Sequence, residues 1–204
     1  MTRLALWLLA SYLLGSIPTS YLVVRLVRGQ DLRTLGSGNL GATNLYRVLG
    51  WRYAIPVGLF DLLKGAIPVV LFSHWAGVTG VPAVLLGVAA VVGHVFSVFV
   101  RFKGGKGVAT GAGIVLGLAP LAFLVSLVAW GAVVRLTGYV SLGSMIGAAL
   151  LPPSVYLLHP ERRSLVWIFA LLAVGIIVLH RANIGRLLAG TEHQFGADRA
   201  AANR

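Results

Sequence analysis

The sequence predicts an all-α integral membrane protein of about seven transmembrane helices, with the N-terminus outside and the C-terminus cytoplasmic. Three observations carry this prediction. Of 204 residues, 58% are hydrophobic and only 11% are charged, with a mean hydropathy of +0.90; a soluble domain of that length has no interior large enough for so much apolar surface. The apolar residues fall into runs of membrane-crossing length, roughly 17–25 residues, separated by short polar segments. The cations are lopsided along the chain, as the positive-inside rule requires of a multi-pass protein.

The first span is expected from about Leu4 to Val27. It lacks a clear small-residue cleavage site and runs straight into a polar loop, so it reads as a retained helix rather than a cleaved signal. The second span is placed at Tyr53–Phe72 and the third at Val81–Val100. The stretch from Gly107 to Leu136 is too long for one span and carries Pro120 in its middle, which predicts a break there. Its first half, with Gly107, Gly111, Gly113 and Gly117, forms a short fourth segment that either crosses or re-enters; re-entry is tolerated only against protein or a watery cavity. The fifth follows Pro120, the sixth runs from Leu142 to Leu158, and the seventh from Leu165 to Leu179. The whole chain, 1–204, is read as one polytopic domain, with 193–204 a flexible cytoplasmic tail.

Seven crossings from an outside N-terminus leave only Arg3, Arg162 and Arg163 outside and Lys64 within a span. The rest of the 17 Lys and Arg face the cytoplasm. The same topology gathers four polar segments (28–52, 101–107, 135–144 and 180–198) on one face. The formal charge of +12 is ordinary for a protein against anionic lipid, and no water-soluble basic domain is present to bind nucleic acid. Cysteine is absent, which excludes disulfides and thiolate ligands. No cofactor, metal site or obligate protein partner is expected.

Three segments carry chemistry. In Gly36-Ser37-Gly38-Asn39-Leu40-Gly41-Ala42-Thr43-Asn44 with Arg47, glycines allow backbone N–H groups close to an anion, and an arginine can fork onto phosphate or carboxylate. Gly38, Asn39, Thr43 and Asn44 are the candidate anion-facing residues of this loop. In Gly104-Gly105-Lys106-Gly107, a glycine turn opens a helix whose free N–H groups favour an anion, with Lys106 as a point charge. It is not a P-loop, whose G-x-x-x-x-G-K-[ST] spacing is missing; alone it is equally a turn flanked by ordinary inner-face lysines. In the last segment, His180 and Asn183 are three apart and share a helix face. His180 is a candidate general base, or a histidine capping a helix end. Arg181 and Arg186 read as interfacial anchors. Glu192, one of only five acids, reads as an ion-pair partner that holds loops together. Asp61 and Lys64, one turn apart inside the second span, read as a mutually neutralising structural pair. The H-x-x-x-x-D spacing of His193 and Asp198 is a short-motif coincidence in the tail.

Taken together, these segments resemble one family. Gly15-Ser16-Ile17-Pro18-Thr19-Ser20-Tyr21, the Gly36–Arg47 loop, Gly93-His94, Phe102-Lys103-Gly104-Gly105-Lys106-Gly107-Val108-Ala109-Thr110, His180-Arg181-x-Asn183-Ile184 and Gly190-Thr191-Glu192 stand in the order and spacing of the acyl-phosphate:glycerol-3-phosphate acyltransferase family, PlsY, over nearly the whole chain. The resemblance implies a seven-helix enzyme of the bacterial inner membrane with its site facing the cytoplasm. Such an enzyme moves a fatty acyl group from acyl phosphate to the 1-hydroxyl of glycerol 3-phosphate, giving lysophosphatidic acid in the first step of phospholipid synthesis. It also implies that Ser37 and Arg47 are the essential serine and arginine, that Gly104, Gly105, Lys106 and Gly107 form a phosphate-binding loop, that His180 and Asn183 are the polar pair of the third motif, and that Glu192 maintains structural integrity. Two positions depart from the pattern. Ser97 stands where proline is frequent, which puts a kink there in question, and Gln194 stands where lysine is common. A transporter for a small organophosphate would place its site near the midplane, often with internal repeats. A passive anionic-lipid binder would leave Ser37, Asn44, His180 and Asn183 without a role.

Overall fold

The computed structural model describes residues 2–195; the end of the tail, 196–204, and with it Asp198, lies outside the described residues. Helices dominate and no strand occurs among the described residues. The chain divides into two compact units, one ending at Leu118 and one beginning at Ala119.

In the first unit, α1 (Thr2–Ser16) and α2 (Thr19–Arg28) share one apolar span but not one helix. The break lies at Ile17-Pro18, where proline lacks an N–H and disfavours helical backbone in the residue before it. A polar loop leads to α3 (Ala42–Leu49), then α4 (Trp51–Ile67), which passes through a wide π turn over Pro68–Phe72 into the short α5 (Ser73–Ala76). Next is α6 (Val81–Val95), which stops five residues before its apolar span does. No proline is needed for that stop: Ser97, fully buried, donates its hydroxyl to the Ser16 carbonyl at the end of α1. The Lys64 ammonium donates to the neighbouring Ile17 carbonyl at 2.6 Å. The carbonyls left without intrahelical donors at the first break are thereby satisfied by side chains from α4 and from the segment after α6.

The last helix of this unit is α7 (Val108–Leu118). At about 1.5 Å per residue its 11 residues span roughly 17 Å, well short of a hydrocarbon core of about 30 Å. Six of its 11 residues are buried in protein, while Leu116 is exposed. A Cβ on Gly113 would sit 1.9 Å from the Leu62 carbonyl oxygen, and one on Gly65 would sit 1.8 Å from that of Thr110, so α4 and α7 meet backbone to backbone. The six other apolar segments are long enough to cross a membrane: Thr2–Arg28, Trp51–Ala76, Val81–Val100, Pro120–Thr137, Val140–Leu158 and Pro160–Leu179.

In the second unit, α8 (Pro120–Thr137) begins at the predicted break and packs antiparallel on α9 (Val140–Leu158) through a Gly138-Tyr139 turn. Gly138 is left-handed at φ 76° and closes α8 with its amide on the Val134 carbonyl. A short 3₁₀ segment leads to α10 (Val166–Leu179), which packs on α9, and α11 (Arg181–Leu188) is the last helix among the described residues.

Candidate active site

The Gly36–Arg47 loop is built around one side chain. Asn44, in the first turn of α3 and almost fully buried, accepts from the Ser37 amide through Oδ1 at 2.8 Å. Its Nδ2 donates to the Leu35 carbonyl at 3.0 Å and to the Asn39 carbonyl at 2.9 Å. Both ends of the amide are therefore engaged by the loop itself, and Asn44 fixes where Ser37 sits instead of facing an anion. Gly36 (φ 54°) and Gly38 (φ 72°) supply the left-handed turns around Ser37. A Cβ on Gly36 would fall 2.3 Å from Asn44 Oδ1.

Ser37, Asn39, Thr43 and Arg47 are half-buried. The side-chain oxygen of Asn39 is buried with no hydrogen-bond partner among the described residues. The α3 N-terminus at Gly41 has no side-chain cap, so its first amides remain suited to an anion. The loop is anchored on both flanks. Asp31 caps the 3₁₀ turn Leu32–Thr34 and bonds the Arg33 guanidinium at 2.6 Å, and this hydrogen bond holds its carboxyl below the usual carboxylate range. Arg33 reaches on to the Val100 carbonyl at 3.4 Å. Beneath lie Val24, Leu32, Leu40, Leu45, Val57 and Val100 as one apolar cluster.

Val100 immediately precedes the second polar segment, so that cluster ties the two loops together. Here Arg101 (φ 58°) and Phe102 (φ 60°) are both left-handed, and the chain folds back on α6. The amides of Gly104 and Gly105 donate to the carbonyls of Val95 and His94 at 2.9 and 3.0 Å. These two glycines were expected to present amides to phosphate. They cap α6 instead, so among the anion-binding candidates of this segment Lys106, Gly107 and the first turn of α7 remain. A small pocket lies at the α1–α2 break, lined by Ser16, Ile17, Pro18 and Thr19 and bordered by Leu40, Gly104, Gly105, Asp61, His94 and Ser97. Asp61 and Lys64 form a 2.5 Å ion pair with both side chains buried.

In the second unit, His180 stands between α10 and α11, buried, its Nδ1 at 2.8 Å from the Ile176 carbonyl. Donation through Nδ1 leaves Nε2 as the accepting nitrogen of the neutral ring. Asn183 donates to Glu192 Oε1 at 2.6 Å, Ser141 donates to the same oxygen at 2.8 Å, and Arg186 bonds Oε2 at 2.7 Å. Arg186 was expected to be an interfacial anchor, but it is an ion-pair partner. Burial alone would raise the Glu192 carboxyl; the hydrogen bonds from Asn183, Ser141 and Arg186 outweigh it and hold the group below its ordinary range. Gln194 lies against Gly138 and reaches Tyr139 Oη at 3.4 Å.

Ser37, Asn39, Thr43, Arg47 and the Lys106 turn thus belong to the first unit, and His180, Asn183 and Glu192 to the second. Sequence reading missed Ser141, whose partner is 51 residues away, and the joining of His94 to Asp61, which lies on another helix. Among the described residues, no group of three or more His, Cys, Asp or Glu is placed to hold a metal.

The family model for glycerol-3-phosphate acyltransferase matches residues 5–190. Curated relatives of that description include one from Trichlorobacter lovleyi, 46% identical over 97% of this chain and all of its own length. Another, from Geobacter metallireducens, is 50% identical over 94% of this chain and 97% of its own. Two crystal structures of PlsY, an integral membrane glycerol 3-phosphate acyltransferase, are also similar. The glycerol 3-phosphate form aligns at a TM-score of 0.89 and 36% identity over 97% of this chain and 98% of that one. The lysophosphatidic acid form aligns at 0.84 and 35% over 95% of each.

Proposed function

Since the chain belongs to the glycerol-3-phosphate acyltransferase family, we propose that it moves a fatty acyl group from acyl phosphate to the sn-1 hydroxyl of glycerol 3-phosphate, releasing 1-acyl-sn-glycerol 3-phosphate and inorganic phosphate. The observation that carries this reading is the meeting, in the first unit, of the loop that leads to Arg47 and the segment that leads to Lys106, through Arg33 on the Val100 carbonyl and one shared apolar cluster. Both substrates carry phosphate, and a mixed anhydride needs no thioester to activate it.

The glycerol hydroxyl oxygen attacks the acyl carbonyl carbon, the bond from that carbon to the phosphate oxygen breaks, and phosphate departs with the electron pair. Arg47, Lys106 and the first-turn amides neutralise the two phosphates and the charge that grows on the leaving group. Ser37 donates its hydroxyl to a phosphate or to the developing oxyanion, in a position set by Asn44. Asn39 and Thr43 line the same loop. For His180 and Asn183 we take the role the family motif implies, orienting the acceptor, with His180 Nε2 or a substrate phosphate oxygen receiving the hydroxyl proton. Glu192, Asp61 and Lys64 are structural.

The acyl tail stays in the bilayer while its head meets a water-soluble acceptor, so proximity supplies much of the rate. We place the protein in the bacterial inner membrane with residues 28–52, 101–107 and 180–198 on the cytoplasmic face, where the bias of arginine and lysine puts them. Acyl phosphate, glycerol 3-phosphate and membrane lipid are its partners in this scheme. The experiment that tests direct attack is a trapping one. Protein incubated with radiolabelled acyl phosphate and no glycerol 3-phosphate is expected to carry no acyl group after denaturation. A stable adduct on Ser37 would make it a nucleophile and overturn the scheme.

A further inference from the structure

The buried Asp61, Lys64 and His94 lie just beneath the glycine turn, and no step above uses His94. Its Nδ1 is 3.9 Å from Asp61 Oδ1, and Asp61 is in turn held by Lys64 at 2.5 Å. Its main-chain carbonyl, at the C-terminal end of α6 and without an intrahelical donor, accepts the Gly105 amide at 3.0 Å. Its ring lies flush under the same residue: a Cβ on Gly105 would be 2.1 Å from His94 Nε2. One on Gly104 would be 2.0 Å from the His94 carbonyl oxygen. Gly105 is therefore seated on an imidazole whose other nitrogen faces the buried Asp61–Lys64 pair, and Lys106 is the next residue along the chain.

We propose that His94 is a positioning residue for the acyl-transfer reaction, setting the glycine turn so that Lys106 meets the substrate phosphate. The inference rests on the phosphate-binding role proposed for Lys106.

The test is a set of single and double variants, purified in detergent and assayed for acyl transfer with acyl phosphate and glycerol 3-phosphate, with unfolding temperature measured beside. His94→Ala is expected to lower kcat/KM by roughly ten- to a hundredfold, the scale set by ångström-sized misplacement, while the protein remains folded. Gly105→Ala, forced against the ring, is expected to lose more. His94→Ala with Gly105→Ala is expected to return to the level of His94→Ala alone, because the obstructing ring is gone. Gly104→Ala, which meets backbone, is expected to gain nothing from His94→Ala. His94→Ala combined with Lys106→Ala is expected to be no worse than Lys106→Ala, since His94 acts through that lysine. If His94→Ala does not purify folded, His94→Gln takes its place in every pair. Wild-type kinetics in the His94 variant, or additive losses in either double variant, would overturn the proposal. If Lys106→Ala leaves both KM values unchanged, the phosphate reading of Lys106 fails, and the Gly105 rescue still reports whether His94 seats the turn.

Discussion

Substituting Asn44 separates a loop brace from a ligand. Asn44→Ala removes the acceptor of the Ser37 amide and both donors to the Leu35 and Asn39 carbonyls. A buried hydrogen bond contributes about 1 kcal/mol net, so the loop conformation loses about 3 kcal/mol. Water reaching the half-buried Ser37 lowers that figure, and the burial of Asn44 itself raises it. A loop so loosened lets Ser37 stray by an ångström or more, worth on the order of a hundredfold in kcat. Asn44→Asp is the sharper variant. It keeps the acceptor for Ser37 but turns a carboxylate oxygen toward two carbonyls that need a donor, so it should be at least as impaired as alanine. The assay is steady-state acyl transfer with both substrates varied, alongside thermal unfolding in detergent. The account expects kcat and unfolding temperature to fall together. An Asn44→Ala protein with wild-type kcat and unfolding temperature, and only a raised KM, would refute the brace and make Asn44 a phosphate ligand.

Other outcomes follow from the same geometry. Glu192→Gln should lower the unfolding temperature most near pH 7. The folded carboxyl titrates below its unfolded value of about 4.3, so its stabilisation is present above that pH and is lost as pH falls through the lower folded value. The gap between wild type and variant, followed by thermal unfolding from pH 7 down to about pH 3, should close; a gap that widens toward acid would contradict the assignment. Lys64→Met strands a buried Asp61 carboxylate and should cost about 3–5 kcal/mol, whereas Lys64→Met with Asp61→Asn should recover much of it. Equal unfolding temperatures for the single and double variants would show that the ion pair is uncoupled.

Membrane spans were legible in this sequence because bilayer thickness sets a length that apolar runs must meet, and Pro120 marked the division of α7 from α8. The interruptions inside spans were not. Leu4–Val27 reads as one apolar run, yet the helix stops at Ser16; Val81–Val100 reads likewise, yet α6 stops at Val95. Hydropathy is blind to the Ser97 hydroxyl and the Lys64 ammonium that satisfy the freed carbonyls from elsewhere in the chain. Local spacing found what local spacing can find: Asp61 and Lys64 are three apart and paired. Partners a loop away stayed hidden, so Asn44 looked like an anion contact, Arg186 like an anchor, and the Gly104 and Gly105 amides like a phosphate cradle, although each bonds within its own neighbourhood of the chain. In each case the residue type was informative about polarity, and the fold decided which polar group received it.

The measurement that tests the central claim most directly is product formation by the purified protein from acyl phosphates of several chain lengths and labelled glycerol 3-phosphate. The account predicts 1-acyl-sn-glycerol 3-phosphate and inorganic phosphate in equal amounts, with the acyl group on the sn-1 oxygen. No labelled lysophosphatidic acid from any chain length, or product only when an acyl thioester replaces the acyl phosphate, would contradict it.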